Sequence, residues 1–237
     1  MSYCLIYQHF NCYLEKEMKH RITLESEILA RALKDAALYV AKDDLSQAIS
    51  HVLLLLNPKK KNLSVIACDG CGYYERVIEI VQEKGVKPSL PGKPMHIFIS
   101  RNDLQAISKS GNIRGVLSIE TDDEKKVNDN YSVKLVFPDG KIWNLSSPSA
   151  LEIPDYSFIR KQAEKGKKTS VSLGQMMLPV RELTRAGKVF PVKTGFTVPM
   201  YISQWKKGGL LTLLEYQSEF ENVDIKVIFA ISLPDAA

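Results

Sequence analysis

Apolar residues recur at helical spacing over Ile28, Leu29, Ala32, Leu33, Ala36 and Val40, and Arg31, Lys34, Asp35 and Lys42 fall off that stripe. The period predicts an amphipathic helix. Ser26 stands where a side chain can cap it, and Glu27 lies in the first turn, where the helix dipole favours an acid. Before the helix, HRITLES alternates and predicts a short strand. After the polar AKDDLSQ come three strand patterns, ISHVLLLLN, NLSVIACD and YYERVIEIV. NPKKKN turns the chain between the first two and DGCG between the last two. In YYERVIEIV, Tyr74, Ile78 and Ile80 share one side, while Glu75 and Glu79 share the other.

The same order then repeats. MHIFIS predicts a strand, Ser100 and Asn102 are cap-like, and DLQAISKSG predicts a short helix closed by Gly111. IRGVLSIET, NYSVKLVFPDG and KIWNLSS predict three more strands, the last two joined by a Pro-Asp-Gly turn. This is an α+β pattern of duplicated strand–helix–strands half-units. Two antiparallel sheets with both helices on one face would make one domain. SSPSALEIPDY reads as a linker. Beyond it, KTSVSLGQMML, KTGFTVPMYISQ, GGLLTLLEYQSE and VDIKVIFAISL are strand candidates. LPVRELTRAGK predicts a short helix with Pro179 in its first turn. The expected organisation is an N-terminal extension at 1–17, a domain at 18–149, and a second, smaller one at 150–237 holding about one half-unit. Residues 1–17 fit poorly onto the downstream pattern, and Met18 opens the cleaner segment.

Composition narrows the function classes. No apolar run approaches the roughly 18 residues a membrane helix needs, so no membrane partner is expected. Four cysteines in 237 residues are too few for a disulfide-built fold and lead to the expectation of a reducing, cytoplasmic setting. A net charge of +5 permits nucleic-acid contact without requiring it.

The stretch ACDGCGYYER carries the most chemistry to weigh. A zinc site needs four ligands, and only Cys4, Cys12 and scattered histidines are left to complete one, at no recognised spacing. A redox pair needs a helix opening at the second cysteine, whereas Gly72 and an alternating strand pattern follow Cys71. The plainer expectation is that Cys68 ends a strand, half-buried, and that Asp69-Gly70 begins a turn. Asp43-Asp44 and Asp122-Asp123 read as solvated loop carboxylates, and Ser172 lacks a nucleophile context. No phosphate loop, HExxH or GxSxG motif is present. No catalytic residue, metal or cofactor is expected.

Three motifs in order carry a resemblance: LARALKDAALYVAKDDLSQAISHVLLLL, LSVIACDGCGYYE and LEIPDYSFI. Over about residues 20–160 the chain resembles, in divergent and shortened form, the bacterial sliding clamps, the beta subunit of DNA polymerase III. It departs from the family pattern at Ser46, His51, Cys68, Cys71, Gly72 and Ile153. The resemblance implies a DNA-clamp fold and an oligomeric ring through which duplex DNA passes, a processivity factor of a replicative polymerase that catalyses nothing itself. It implies DNA-facing cations at Arg31, Lys34 and Lys42 on the first helix and Lys109 on the second. It also implies a pocket for polymerase and clamp-loader peptides at Cys68, Gly70, Cys71, Gly72, Tyr73, Pro154, Phe158 and Ile159. The alternative is a clamp-fold interaction module that no longer encircles DNA.

Overall fold

The computed structural model describes residues 20–42, 49–81, 89–109, 115–127, 130–148, 155–167, 179–190, 198–204, 209–218 and 223–231. The extension at 1–17, Asp43-Asp44, Pro154 with the rest of the linker at 149–154, and the whole strand candidate at 168–178 lie outside the described residues. So do the side chains of Asp122 and Asp123.

The duplication expected from the pattern is present. β1 (His20–Glu25), α1 (Ser26–Ala36), β2 (His51–Asn57), β3 (Asn62–Cys68) and β4 (Gly72–Glu79) make the first half. β5 (Met95–Ser100), α2 (Arg101–Lys109), β6 (Val116–Val127), β7 (Asn130–Val136) and β8 (Ile142–Pro148) make the second. The halves exchange their opening strands: β1 pairs antiparallel with β6, and β5 with β2. Two seams close the unit. At one, Thr23 Oγ1 donates to the Val81 carbonyl at 2.8 Å, and at the other the Phe98 amide donates to Ser147 Oγ at 2.8 Å.

The later segment supplies α3 (Tyr156–Glu164), α4 (Val180–Val189), β9 (Met200–Gln204), β10 (Leu210–Ser218) and β11 (Val223–Ile231). β11 runs antiparallel to β4, from Asp224 opposite Val77 to Phe229 opposite Gly72. One sheet of seven strands results, in the order β5-β2-β3-β4-β11-β10-β9, beside a four-stranded sheet β1-β6-β7-β8.

Strand alternation gives the large sheet two apolar faces. Val52, Leu54, Leu63, Val65, Tyr74, Ile97, Val227 and Phe229 face a core shared with α1, α2, α4 and the small sheet. Leu53, Ile66, Cys68, Tyr73, Phe98, Leu213 and Ile228 face the other way, under α3. Thus α1, α2 and α4 share the inner face, and α3 covers part of the outer one.

Four expectations are corrected. Ser26 is the first helical residue rather than the cap: β1 runs into α1 without a loop, Glu25 takes the cap position with no side-chain bond, and Ser26 Oγ donates to the Gly115 carbonyl at 2.9 Å. The helix stops at Ala36 and tightens into a 3-10 turn at Ala37–Tyr39, and Tyr39, fully buried, stacks on Tyr74 with centroids 5.8 Å apart. The linker ends earlier than expected. Asp155 caps α3, its carboxylate accepting from the Phe158 amide at 3.0 Å, so Tyr156 is already helical. Pro179 takes the cap position of α4, with no place in its first turn.

Asp35, placed off the apolar stripe by the pattern, is only 6% exposed. Its Oδ2 lies 3.9 Å from Arg76 Nη1, itself buried on β4, and 4.0 Å from Arg31 Nε. Burial pushes the carboxyl up to about 6, against the pull of Arg31, Arg76 and Lys34. A carboxyl that holds its proton more tightly folded than unfolded stabilises most below the unfolded value and loses that contribution as pH rises through the folded one. Asp35→Asn is therefore expected to flatten the dependence of stability on pH between about 4 and 6, removing a decline of up to about 3 kcal/mol. Urea midpoints of both proteins across that window check it, and parallel curves would refute it.

Candidate functional site

The turn between β3 and β4 is organised by one carboxylate. Asp69 Oδ1 accepts from the amides of Cys71 at 3.1 Å and Gly72 at 2.9 Å, and the Asp69 amide donates to the Gly72 carbonyl at 3.2 Å. This is the local bonding for which aspartate is favoured in turns. The other oxygen, Oδ2, meets Arg185 Nη2 of α4 at 2.9 Å. Arg185 Nη1 donates to both carboxylate oxygens of Glu182, at 2.8 and 2.9 Å, and Nη2 also donates to the Leu38 carbonyl. The guanidinium sits 4.1 Å over the Tyr39 ring, a cation–π contact in a desolvated place. Asp69, Glu182 and Arg185 thus join the turn, the 3-10 turn after α1, and α4.

Gly72 is required by this packing. A Cβ there would lie 2.8 Å from Glu182 Oε2 and 3.2 Å from the Tyr39 ring. Gly72 is among the chain's departures from the clamp pattern, and the space a side chain would need there is taken by Glu182 and Tyr39.

On the outer face, Tyr73 Oη donates to Glu75 Oε2 at 2.7 Å, and Arg160 Nη1 of α3 donates to the same carboxylate at 3.1 and 3.3 Å. Tyr156 packs on Tyr73 with ring centroids 5.7 Å apart. Farther along α3, Glu164 meets Lys226 Nζ at 3.2 Å, and Lys167 pairs with Glu215. Gly166 comes so close to β9 that a Cβ would fall 2.7 Å from the Ile202 backbone. Beside α3 a cavity of about 520 Å³ opens over Leu53, Leu55, Ile66, Tyr73 and Val77, with Arg160 in its wall.

The predicted pocket residues separate into three groups. Cys68 and Tyr73 are buried, with Ile159 packed against their cluster. Gly70 and Cys71 are exposed on the turn, and Phe158 is 41% exposed on α3. Gly72 is buried, and Pro154 lies outside the described residues. Of the set, Tyr73 lines the cavity. Cys68 and Cys71 are free thiols, and burial pushes the Cys68 thiol up. Among the predicted cations, Arg31, Lys34 and Lys42 are exposed, but Lys42 lies past the end of α1 and its 3-10 turn rather than on the first helix, because the helix stops at Ala36. Lys109 ends α2, and its side chain is outside the described residues. Sequence reasoning passed over Arg181 and Lys188, both exposed on α4, although LPVRELTRAGK showed the same mixture of apolar stripe and cations as α1.

The exchanged half-units, with three helices on one sheet face, define a class: the fold is that of the DNA sliding clamps. Within it, bacterial DNA polymerase III beta clamps are among the solved structures that match. The Bacillus subtilis sliding clamp superposes with a TM-score of 0.58 at 10% identity, covering 92% of this chain and 66% of that one. The Helicobacter pylori clamp in complex with diflunisal gives 0.64 at 12% identity, covering 92% and 67%. The same clamp bound to a DNA ligase peptide gives 0.56 at 15% identity, covering 91% and 67%. The chain spans about two thirds of the length of these clamps. No protein-family model and no curated protein sequence matches it.

Gly72→Ala is expected to destabilise the protein by about 1–3 kcal/mol, the usual cost of forcing a methyl into filled space. Thermal or urea unfolding checks it, with Gly70→Ala separating the effect of packing from that of turn conformation. Gly70 has φ +86° and open space around its Cβ position, so any cost there comes from the backbone alone.

Proposed function

We propose that the chain is a sliding-clamp-like processivity factor, tethering a replicative DNA polymerase and its loader to duplex DNA without chemistry of its own. The observation that carries this reading is the clamp fold over 92% of the chain, with α1, α2 and α4 together on one sheet face. Arg31 and Lys34 on α1 and Arg181 and Lys188 on α4 are exposed, and Lys42, beyond the 3-10 turn that follows α1, is exposed as well. Exposed cations attract phosphates without reading sequence, and the attraction weakens as salt rises. That is the physical requirement for holding DNA while sliding along it. In this reading residues 18–149 and 150–237 are two clamp-like units in a cytoplasmic homo-oligomer that closes around DNA, and Lys109 adds to the same cationic face.

Partner peptides would dock where the 69–72 turn meets the start of α3. Gly70, Cys71 and Phe158 offer accessible surface there, and the neighbouring cavity over Leu53, Leu55 and Tyr73 offers apolar depth. The support is that the two segments carrying the resemblance converge at this place: Tyr73 packs on Tyr156.

The test is retention on DNA, with solution mass measured by light scattering. An oligomer retained on circular duplex but lost from linear ends is the expected outcome. Charge reversal at Arg31 and Lys34 should reduce retention at low salt and lower the salt dependence by about one counterion-release unit for each phosphate no longer engaged. A monomer whose binding is equal on circles and linear DNA would refute the clamp reading and leave the interaction-module alternative.

A further inference from the structure

Asp69 has two oxygens with two different tasks. Oδ1 shapes the turn through the amides of Cys71 and Gly72. Oδ2 has a guanidinium partner at 2.9 Å, Arg185, more than a hundred residues later in the chain. Without that partner the carboxylate's rotation rests on the two Oδ1 bonds alone, with no second anchor at Oδ2 within hydrogen-bond distance. Arg181 lies 4.0 Å from Oδ2, but its side chain is 71% exposed and points a mobile charge rather than a fixed donor. Arg185 is 10% exposed and is itself held by Glu182, Leu38 and the Tyr39 ring. Its four attachments leave the guanidinium one orientation.

We infer that Arg185 is a positioning residue for the 69–72 turn: a side chain of the later segment sets the shape of an early hairpin and so the presentation of Gly70 and Cys71. The peptide-docking proposal is needed only for what the turn is used for. The positioning itself is independent of it. A surface built this way exists only when both segments are folded together. A partner that recognises it thereby recognises the assembled pair of units and neither one alone.

The experiment is amide hydrogen exchange, resolved to single residues, on the full chain carrying Arg185→Gln or Arg185→Lys. Arg185→Gln is expected to accelerate exchange at Cys71 and Gly72 by at least about tenfold, because a buried ion pair is left with one member. The amides of Val133 and Leu135, in the small sheet, should keep their wild-type rates. Arg185→Lys, which keeps the charge but cannot span four acceptors, should fall between. If Arg185→Gln does not fold, Arg185→Lys carries the same comparison. Unchanged exchange at Cys71 and Gly72 would overturn the inference. So would acceleration equal to that at Val133 and Leu135, which would mean global loosening. No peptide or DNA is needed, so failure of the docking proposal and failure of this one are separate results.

Discussion

Everything in the architecture depends on the ladder between β4 and β11. Six pairs, from Asp224–Val77 to Phe229–Gly72, fuse strands of the first half-unit to strands of the last. A central strand must satisfy its backbone groups on both edges, so β4 without β11 would expose a row of unpaired amides beside the 69–72 turn. The pairing also fixes which side chains point where. With a side-chain period of two, a one-residue slip would send Val227 and Phe229 to the outer face and Ile228 inward. Both apolar faces would fail at once. The inner core under α1, α2 and α4 and the outer cluster under α3 are consequences of one register.

The ladder alone does not orient the helices, and polar contacts do that. α4 is tied by Arg185 to Asp69 and Leu38. α3 is tied at one-turn intervals by Tyr156 on Tyr73, Arg160 on Glu75 and Glu164 on Lys226. Residues at i, i+4 and i+8 share a helix face, so α3 lies across β4 and β11 in one direction. Such pairs add little net stability, since desolvation offsets attraction. Losing one member leaves a buried charge alone, so alternative packings are excluded more strongly than the native one is stabilised. In ACDGCG the long-range contact belongs to the aspartate between the two cysteines, while Cys71 contributes its backbone amide to the turn.

The elements visible in the sequence are those whose pattern is local. The stripe of α1, the strand patterns of β2 to β5, the capping of α2 by Ser100 and the duplicated order could all be read from spacing, although Asn102, also expected as a cap, lies inside the helix. What could not be read depends on distant partners. Asp35 looked like a surface charge because its partner, Arg76, is a strand residue forty positions away. Arg185 carries no local signal because its partner Asp69 is in another segment. α3 was hidden because its first residues, YSFI, carry few strong helix formers. Its burial comes from a sheet face whose second half lies seventy residues downstream. The exchange of β1 and β5 between halves is equally invisible locally, because an antiparallel strand pattern is the same whichever neighbour it joins.

The perturbed ionisable groups follow the same logic. Strongly shifted groups often mark a site of chemistry when they converge on an open cleft. Here Asp35, Tyr39 and Tyr74 are shifted upward mainly by burial between α1 and the inner sheet face, and Tyr73 and Tyr156 by burial beneath α3. Each lies where two elements are pressed together, and the cause is the exclusion of water rather than an arrangement of acid and base around an accessible atom. Tyr73 and Tyr156 also line the cavity beside α3, and the carboxylate that borders it with them, Glu75, has its oxygens occupied by Tyr73 and Arg160. The shifts are therefore a record of assembly. They are largest where helix meets sheet, and they mark the contacts by which α1 and α3 are held to the two faces of one sheet.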